Sequence, residues 1–449
     1  MVGILPEFLD SLIEDVRRKS VQWQEVTTGS IDSRLAQMLD PIAFENWHQL
    51  PLEETSPPEG VIGTDGSRAA RTLWNGAVWW IVRAVAICGS HRARVLESGF
   101  VRGGIAERDA DWYFTLRMEG AENSAALDGA KRFNGKFVLI DGSLFGRLQH
   151  TPLELTVSDD RGYLLSYYDT LFQLLDCCRE NGIGLIGISK DSGISQFTRY
   201  LLLQKMTDLL KTSKEKPSIR ILEGLKNAIM SPDNPKGAGV SLMTTLLSKK
   251  EALWTNAAEI LRLALLPVSD HVVMQSLLKG KGYTTPLILS LNESSRSILH
   301  SAIENSTEFV DTRFARFIAE SSDPQNSRKY AMEITWKLKN LPSVISFHVR
   351  LHPRDTPLRV DIPGWMVGDE SKIWEHHRPK AVNCDLSEVM RVLTGGYGGL
   401  QNYNIWQKRA DEIARLPRET MDNLYRQAIE REIGHHIEFR RSYRRVNYP

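Results

Sequence analysis

Lys136-Phe-Val-Leu-Ile-Asp-Gly-Ser-Leu144 is the stretch on which the fold turns. Phe137 to Ile140 are apolar without a break, so neither face of the run suits water, and the pattern predicts a short strand buried within a sheet. The run stops at Asp141-Gly142-Ser143, where aspartate and glycine both tolerate the positive φ of a turn. Downstream, Tyr163 to Asn181 has helical periodicity, and Gly184 to Ile188 repeats the apolar strand pattern before Ser189-Lys190. Upstream, a helical segment from about Asp111 to Phe133 follows three strand-like stretches, Val61 to Thr64, Ala77 to Cys88 and Arg94 to Phe100. The order strand, strand, strand, helix, strand, helix, strand predicts a meander leading into alternating helices and strands.

Further out the pattern is mainly helical. Leu9, Leu12, Ile13 and Val16, then Leu35, Met38 and Leu39, mark a leader helix or pair, closed off by the Pro- and Glu-rich stretch Pro51 to Gly60. Between Lys205 and Lys250 the chain carries nine Lys or Arg against four Asp or Glu, in a less regular helical region. Strand character returns at Val344 to Leu351 and Leu358 to Ile362, and helices are expected from Ser371 onward. The expected organisation is a helical leader over 1–55, a core built from 60–195 and 340–415, a helical insertion over 196–339, and a helical, Arg-rich tail over 416–449.

Composition bounds the function class. With 56 Lys and Arg against 55 Asp and Glu, the molecule has no uniform basic field, so any nucleic-acid binding must be local. Cys88, Cys177, Cys178 and Cys384 form no zinc spacing and read as reduced thiols. The first residues lack the features of a signal peptide, and no apolar run nears the roughly 20 residues of a membrane span. A cytoplasmic protein without membrane association is the expectation.

The chemistry is suggested by repetition. Asp65-Gly66-Ser67 follows a short apolar strand just as Asp141-Gly142-Ser143 does. Each reads as a turn, and adjacent strands ending together would bring two carboxylates to one sheet edge. Carboxylates held close repel, a divalent cation offsets that cost, and hard oxygen ligands select magnesium or manganese. A third acid is available on the intervening helix. Glu119 and Glu122 share one face, and Glu122 opens Glu-Asn-Ser-Ala-Ala-Leu127, whose small residues allow close packing on a sheet. An Asp on the first strand, a Glu on the helix and an Asp on the fourth strand is the arrangement of ribonuclease H-like nucleases, where two metal ions activate water and stabilise the departing oxygen. The predicted fold class is therefore α/β, a ribonuclease H-like mixed sheet flanked by helices, with a mainly helical insertion and helical termini.

Val61-Ile-Gly-Thr-Asp-Gly-Ser-Arg68, Glu122 with its Ala-Ala-Leu, Phe137-Val-Leu-Ile-Asp-Gly-Ser-Leu144 and Ile186-Gly-Ile-Ser-Lys-Asp-Ser192 together resemble the successive motifs of the NurA nuclease family. The resemblance extends, more loosely, to Ser269-Asp-His with Leu277-Leu-Lys-Gly280, to the strands around Phe347 and Val360, and to Gly396-Tyr397 with Leu400. It implies a manganese-dependent (or magnesium-dependent) DNA nuclease with single-strand endonuclease and 5′-to-3′ exonuclease activity. It also implies a homodimer that docks on a HerA-type hexameric ATPase, in end processing, break repair or antiviral defence. By this resemblance Asp65, Glu122 and Asp141 are catalytic metal ligands, and Lys190 stands where the family has a lysine after its strand, placed to hold the scissile phosphate. Ser67, Arg68, Ser143, Lys190 and Tyr397 are the expected nucleic-acid contacts. The family's last motif usually runs Gly-Tyr-Pro, Leu, then a His or Asp that completes the metal site. Here Gly396-Tyr-Gly-Gly-Leu-Gln-Asn-Tyr-Asn404 offers Asn404 for that ligand, with Asn402 next, and an amide oxygen binds a hard cation more weakly than a carboxylate.

Other signals carry less. Gly182-Ile-Gly184-Leu-Ile-Gly187 precedes a strand instead of following one, so it cannot cradle a dinucleotide. No GxxxxGK[ST] occurs, which assigns any motor to a partner. The His376-His377 and His435-His436 pairs lack ligand-spaced companions. Two alternatives stand beside the nuclease: a catalytically weak or inactive assembly subunit of the ATPase complex, and a different ribonuclease H-like resolvase or ribonuclease.

Overall fold

Phe137–Asp141 lies inside a mixed sheet, paired in parallel on both sides, as its unbroken apolar run predicts. The structure, a computed structural model, describes residues 8–20, 23, 31–50, 56–102, 106–190, 192–212, 219–230, 238–249 and 251–440. The chain divides into two units: Met1–His48 with Asp191–Thr284, and Gln49–Lys190 with Thr285–Pro449.

The larger unit opens with β1 (Val61–Thr72), β2 (Val78–Cys88) and β3 (His91–Val101), followed by α1 (Glu107–Arg132), β4 (Phe137–Asp141), α2 (Leu144–Leu148), α3 (Tyr163–Glu180) and β5 (Gly184–Ser189). After Thr285 come β6 (Leu287–Ile288) and four helices, α4 (Glu293–Glu304), α5 (Ser306–Arg313), α6 (Ala315–Glu320) and α7 (Pro324–Lys337). The chain then adds β7 (Val344–Arg350), β8 (Leu358–Pro363), β9 (Lys380–Ala381), α8 (Ser387–Gly395), α9 (Ile405–Ala414) and α10 (Arg426–Ile433). The strands lie in the order β3-β2-β1-β4-β5-β8-β7, with β6 on β7 and β9 on β6. Pairing is parallel at β1/β4 and β4/β5 and antiparallel elsewhere in this order, so the expected meander of β1, β2 and β3 is present.

The two faces of β1 are covered by different helices, as the period of a strand requires. A side chain at Gly63 would meet the Trp406 backbone of α9, whereas one at Gly66 would meet Glu122 of α1. Odd positions of β1 thus face α9 and even positions face α1.

One expectation is corrected here. Asp65-Gly66-Ser67 is not a turn: β1 continues to Thr72, and its residues from Gly63 pair without interruption with Ile87 back to Val78. Gly66 has no positive φ; it is glycine because Glu122 occupies the space its side chain would need. Only Gly142 makes the turn, at φ 100°. Helices do not run unbroken from Ser371 either, since a 3-10 turn over Ile373–Glu375 and β9 come before α8.

In the smaller unit the helices Leu9–Arg18 and Ser33–Glu45 join five more, Gln196–Thr212, Ile219–Met230, Ala238–Leu247, Ala252–Ala264 and Asp270–Leu277. A two-residue ladder pairs Trp47–His48 with Gly282–Thr284. Leu35 and Leu39 of the second helix are fully buried, and the helix groups with residues 191–284. The helical region expected over 196–339 is divided, with α4 to α7 in the larger unit. The Arg-rich tail beyond Arg440 lies outside the described residues. Among the described residues no helix is long and apolar enough to cross a membrane.

Candidate active site

The parallel register of β1 and β4 pairs Thr64 with Ile140, so one step further Asp65 stands beside Asp141 on the α9 face of the sheet. Asp65 is only 6% exposed. Burial pushes its carboxyl up to about 8, and the charges of Asp141, Glu122 and Asp411 push in the same direction. The Gly66 amide donates to Asp65 Oδ1 at 2.8 Å and opposes the shift in part.

Glu122 reaches this pair from the opposite face. It is buried on α1, and a Cβ built at Gly66 would lie 2.4 Å from its Oε1, so that oxygen rests against the backbone next to Asp65. Burial pushes Glu122 up to about 7, in spite of an ion pair between its Oε2 and Arg147. Arg147 is itself 2% exposed. Its guanidinium also donates to the Asp141 carbonyl at 3.1 Å, to the Glu119 carbonyl at 3.0 Å and to Asn123 Oδ1 at 2.9 Å. Glu119 in turn accepts from Tyr167 at 3.0 Å and pairs with His150 at 2.8 Å.

On the α9 side Lys190 Nζ lies 3.4 Å from Asp141 Oδ2 and 4.3 Å from the centre of the Tyr403 ring. Burial lifts the Tyr403 hydroxyl far above the usual phenol range, as do the charges of Asp141, Asp65 and Asp411, and its hydroxyl hydrogen-bonds to Asp141. Asp141 therefore sits between an ammonium and a phenol. Besides its burial, three carboxylates act on Asp65, from Asp141, Glu122 and, least, Asp411. Among the described residues no three acidic, His or Cys side chains are already closed on a common ion position. Glu122 is turned to Arg147 and Asp141 to Lys190.

Asp65, Glu122, Asp141 and Lys190 are thus brought together, but Asn404 is placed differently from its expected part. It is the N-cap of α9: its Oδ1 accepts from the Trp406 and Gln407 amides, both at 3.1 Å, and it is 1% exposed. The oxygen needed for a ligand is used to satisfy the helix end. Both serines have structural partners as well. Ser67 Oγ accepts the Leu416 amide at 3.0 Å, while Ser143 caps α2 and donates to Asp361 Oδ2 at 2.7 Å. Arg68 binds the Asp111 carboxylate at 2.7 Å and lines an open groove with Arg71, Asn75, Phe114 and Arg440. Tyr397 lies away in a turn, where burial and Asp355 push its hydroxyl up to about 12. Trp112 is 41% exposed, whereas Tyr113 is core.

Five residues that no sequence motif singles out contribute to the site. Tyr403 stands between the two asparagines considered as ligands, and Asp411 lies about two helical turns beyond Asn404 on α9. Arg147, in Leu144-Phe-Gly-Arg-Leu148, carried a usable signal, because a lone charge in a short apolar helix needs a buried partner. Asp361 anchors the turn after Asp141 by accepting from Ser143 Oγ and from the Phe145 amide at 3.1 Å. Arg359 holds Asp361 in place through bonds of 2.9 and 3.0 Å.

The NurA domain family model matches residues 59–378. Among solved structures, the NurA nuclease from Sulfolobus solfataricus is 14% identical over 95% of this chain and 97% of its own, with a TM-score of 0.50. A crystal structure of NurA with manganese is 13% identical over 92% of this chain and 96% of that one, with a TM-score of 0.41. Among curated proteins none matches this chain.

Proposed function

The chain belongs to the NurA family, and on that premise we propose that it is a divalent-metal-dependent DNA nuclease whose reaction centre is Asp65, Asp141 and Glu122. The observation that carries this reading is the side-by-side placement of Asp65 and Asp141 with Glu122 behind them, where burial, together with the charges of Asp141 and Glu122, pushes Asp65 up to about 8. Carboxylate oxygens in such a cluster suit manganese or magnesium, which would neutralise the repulsion. Asp65, Asp141 and Glu122 would hold the cation, and Asp411, whose charge acts on Asp65, takes the fourth position in place of Asn404. A cation held there would supply Lewis-acid polarisation of a phosphoryl oxygen and would lower the pKa of a bound water, and a second ion would assist the leaving oxygen.

The chain's own residues do the rest. Tyr403 orients Asp141 through its hydroxyl. Lys190, partly exposed beside Asp141, offers an ammonium to the phosphate. Arg68 and the groove it shares with Arg71 and Arg440 are proposed to follow the DNA backbone, with Tyr397 a more distant contact. Single-strand endonuclease and 5′-to-3′ exonuclease action, a homodimer, a HerA-type hexameric ATPase partner and a role in break repair or antiviral defence complete the proposal. These rest on the family resemblance.

The inactive-subunit reading drew on Asn404 as a weak ligand. Because Asn404 caps a helix, its identity says nothing about whether the site is intact. The experiment that separates the readings offers the purified protein single-stranded DNA, duplex DNA and RNA in manganese buffer. Cleavage of DNA supports the proposal, no cleavage of any of them supports the assembly subunit, and preferential cleavage of RNA supports a ribonuclease.

A further inference from the structure

We propose that Arg147 is a positioning residue for cleavage: one guanidinium sets both the carboxylate of Glu122 and the backbone at Asp141, and holds Glu122 Oε1 against Gly66, the neighbour of Asp65. The inference rests on the nuclease reading above. Arg147 touches no position where substrate would react, being 2% exposed behind the acids. Its Nη2 bonds both Glu122 Oε2 and the Asp141 carbonyl, and its Nη1 bonds the Glu119 carbonyl and Asn123 Oδ1 on the same helix as Glu122. Arg147 thus bonds both the helix and the strand end that carry these two acids.

Two further features make the arrangement directional. With Oε2 taken by Arg147, the free Oε1 is pressed against Gly66, the neighbour of Asp65, at a position where any Cβ would lie 2.4 Å from it. The short helix that carries Arg147 is pinned at its start: Ser143 caps it, and Asp361, gripped by Arg359, accepts from Ser143 and Phe145. Arg359, Asp361, the turn after Asp141, Arg147 and Glu122 therefore form one connected frame. A planar guanidinium can make these bonds simultaneously, whereas an ammonium is a single point of charge.

The test uses the full-length protein and manganese itself as the probe. Manganese affinity is read from the electron paramagnetic resonance signal of the free ion, and kcat and KM are measured on single-stranded DNA. Arg147→Lys keeps the charge but not the geometry, and Gly66→Ala leaves Arg147 intact while displacing Oε1, so either variant suffices if the other fails to fold. Each folded variant is expected to bind manganese about 10- to 100-fold more weakly and to lose kcat with little change in KM for DNA. A folded Arg147→Lys or Gly66→Ala protein with wild-type manganese affinity and wild-type kcat overturns the proposal. Wild-type protein that binds manganese but cleaves nothing defeats the nuclease reading alone, because the affinities of the variants still report on how Arg147 places Glu122. Wild-type protein that binds no manganese overturns both.

Discussion

Asp65 and Asp141 are neighbours because β1 and β4 run in parallel with Thr64 against Ile140, and not because two turns meet at a sheet edge. Asp65 lies within a twelve-residue strand and Asp141 at the end of a five-residue one, so the carboxylates differ in surroundings. Asp65 has the sheet around it, while Asp141 has Lys190 and Tyr403 beside it.

The burial of Asp65 lowers the metal-free stability of the protein at high pH. Asp65 titrates near 8 when folded and near 4 when unfolded, so its charge is disfavoured in the native state. Stability from this group is complete below pH 4 and is lost as the pH rises from about 4 to 8. Asp65→Asn removes the charge, and its Tm in chelator at pH 8 is expected to exceed that of the wild type by roughly 2 to 5 °C. At pH 4 the difference should disappear. Scanning calorimetry at the two pH values checks this.

Cation binding should act on the same repulsion. A ligand at about 100 times its Kd adds roughly 2.7 kcal/mol to folding stability, so manganese is expected to raise the wild-type Tm, and chelator to reverse the rise. Asp65→Asn and Asp141→Asn should show little or no rise in a thermal shift titration.

Asn404 makes the opposite prediction from that of a metal ligand. Asn404→Ala removes the cap of α9 and should cost about 1 kcal/mol in urea unfolding. Asn404→Asp keeps the cap. Both variants should cleave DNA within a few-fold of the wild-type rate at a temperature where they are folded; a thousandfold loss would return Asn404 to the ligand set.

Lys190 separates activity from stability. Its ion pair with Asp141 is partly exposed and contributes less than about 1 kcal/mol. Lys190→Ala should therefore unfold at nearly the wild-type urea concentration, yet cleave about 10- to 100-fold more slowly because the phosphate loses a charged partner.

Asp361 reverses that pattern of cause. Replacing it with alanine leaves Arg359 buried without its carboxylate, a change that costs about 3 to 5 kcal/mol in comparable buried pairs. Urea unfolding of Asp361→Ala against Asp361→Asn measures it, with the asparagine variant expected to retain more stability.

Much of this architecture was legible because apolar runs and helical periodicity are local signals. Phe137 to Ile140 announced a buried strand, and the helices on either side of it, Glu107–Arg132 and Tyr163–Glu180, match their expected bounds within a few residues, whereas the first strand runs eight residues past Thr64 and the short helix Leu144–Leu148 was not expected. Asp-Gly-Ser at 65–67 misled, because the tripeptide is compatible with a turn and only the packing of Glu122 against Gly66 reveals why glycine is there. Asn404 is ambiguous for a related reason: a good helix cap and a plausible oxygen ligand are the same side chain. The partition of the helices between the two units depends on long-range packing that periodicity does not encode. Arg147 and Asp361 are far from each other in sequence, and their joint hold on the turn after Asp141 appears only once β8 lies beside β5.

The most direct test of the central claim is the single-turnover cleavage rate of single-stranded DNA in manganese for the wild type, Asp65→Asn and Asp141→Asn, each confirmed as folded. The account predicts cleavage that is abolished by chelator and restored by manganese, and a loss of about a thousandfold or more in each variant. Cleavage by either variant at the wild-type rate, or a wild-type rate indifferent to chelator, would contradict it.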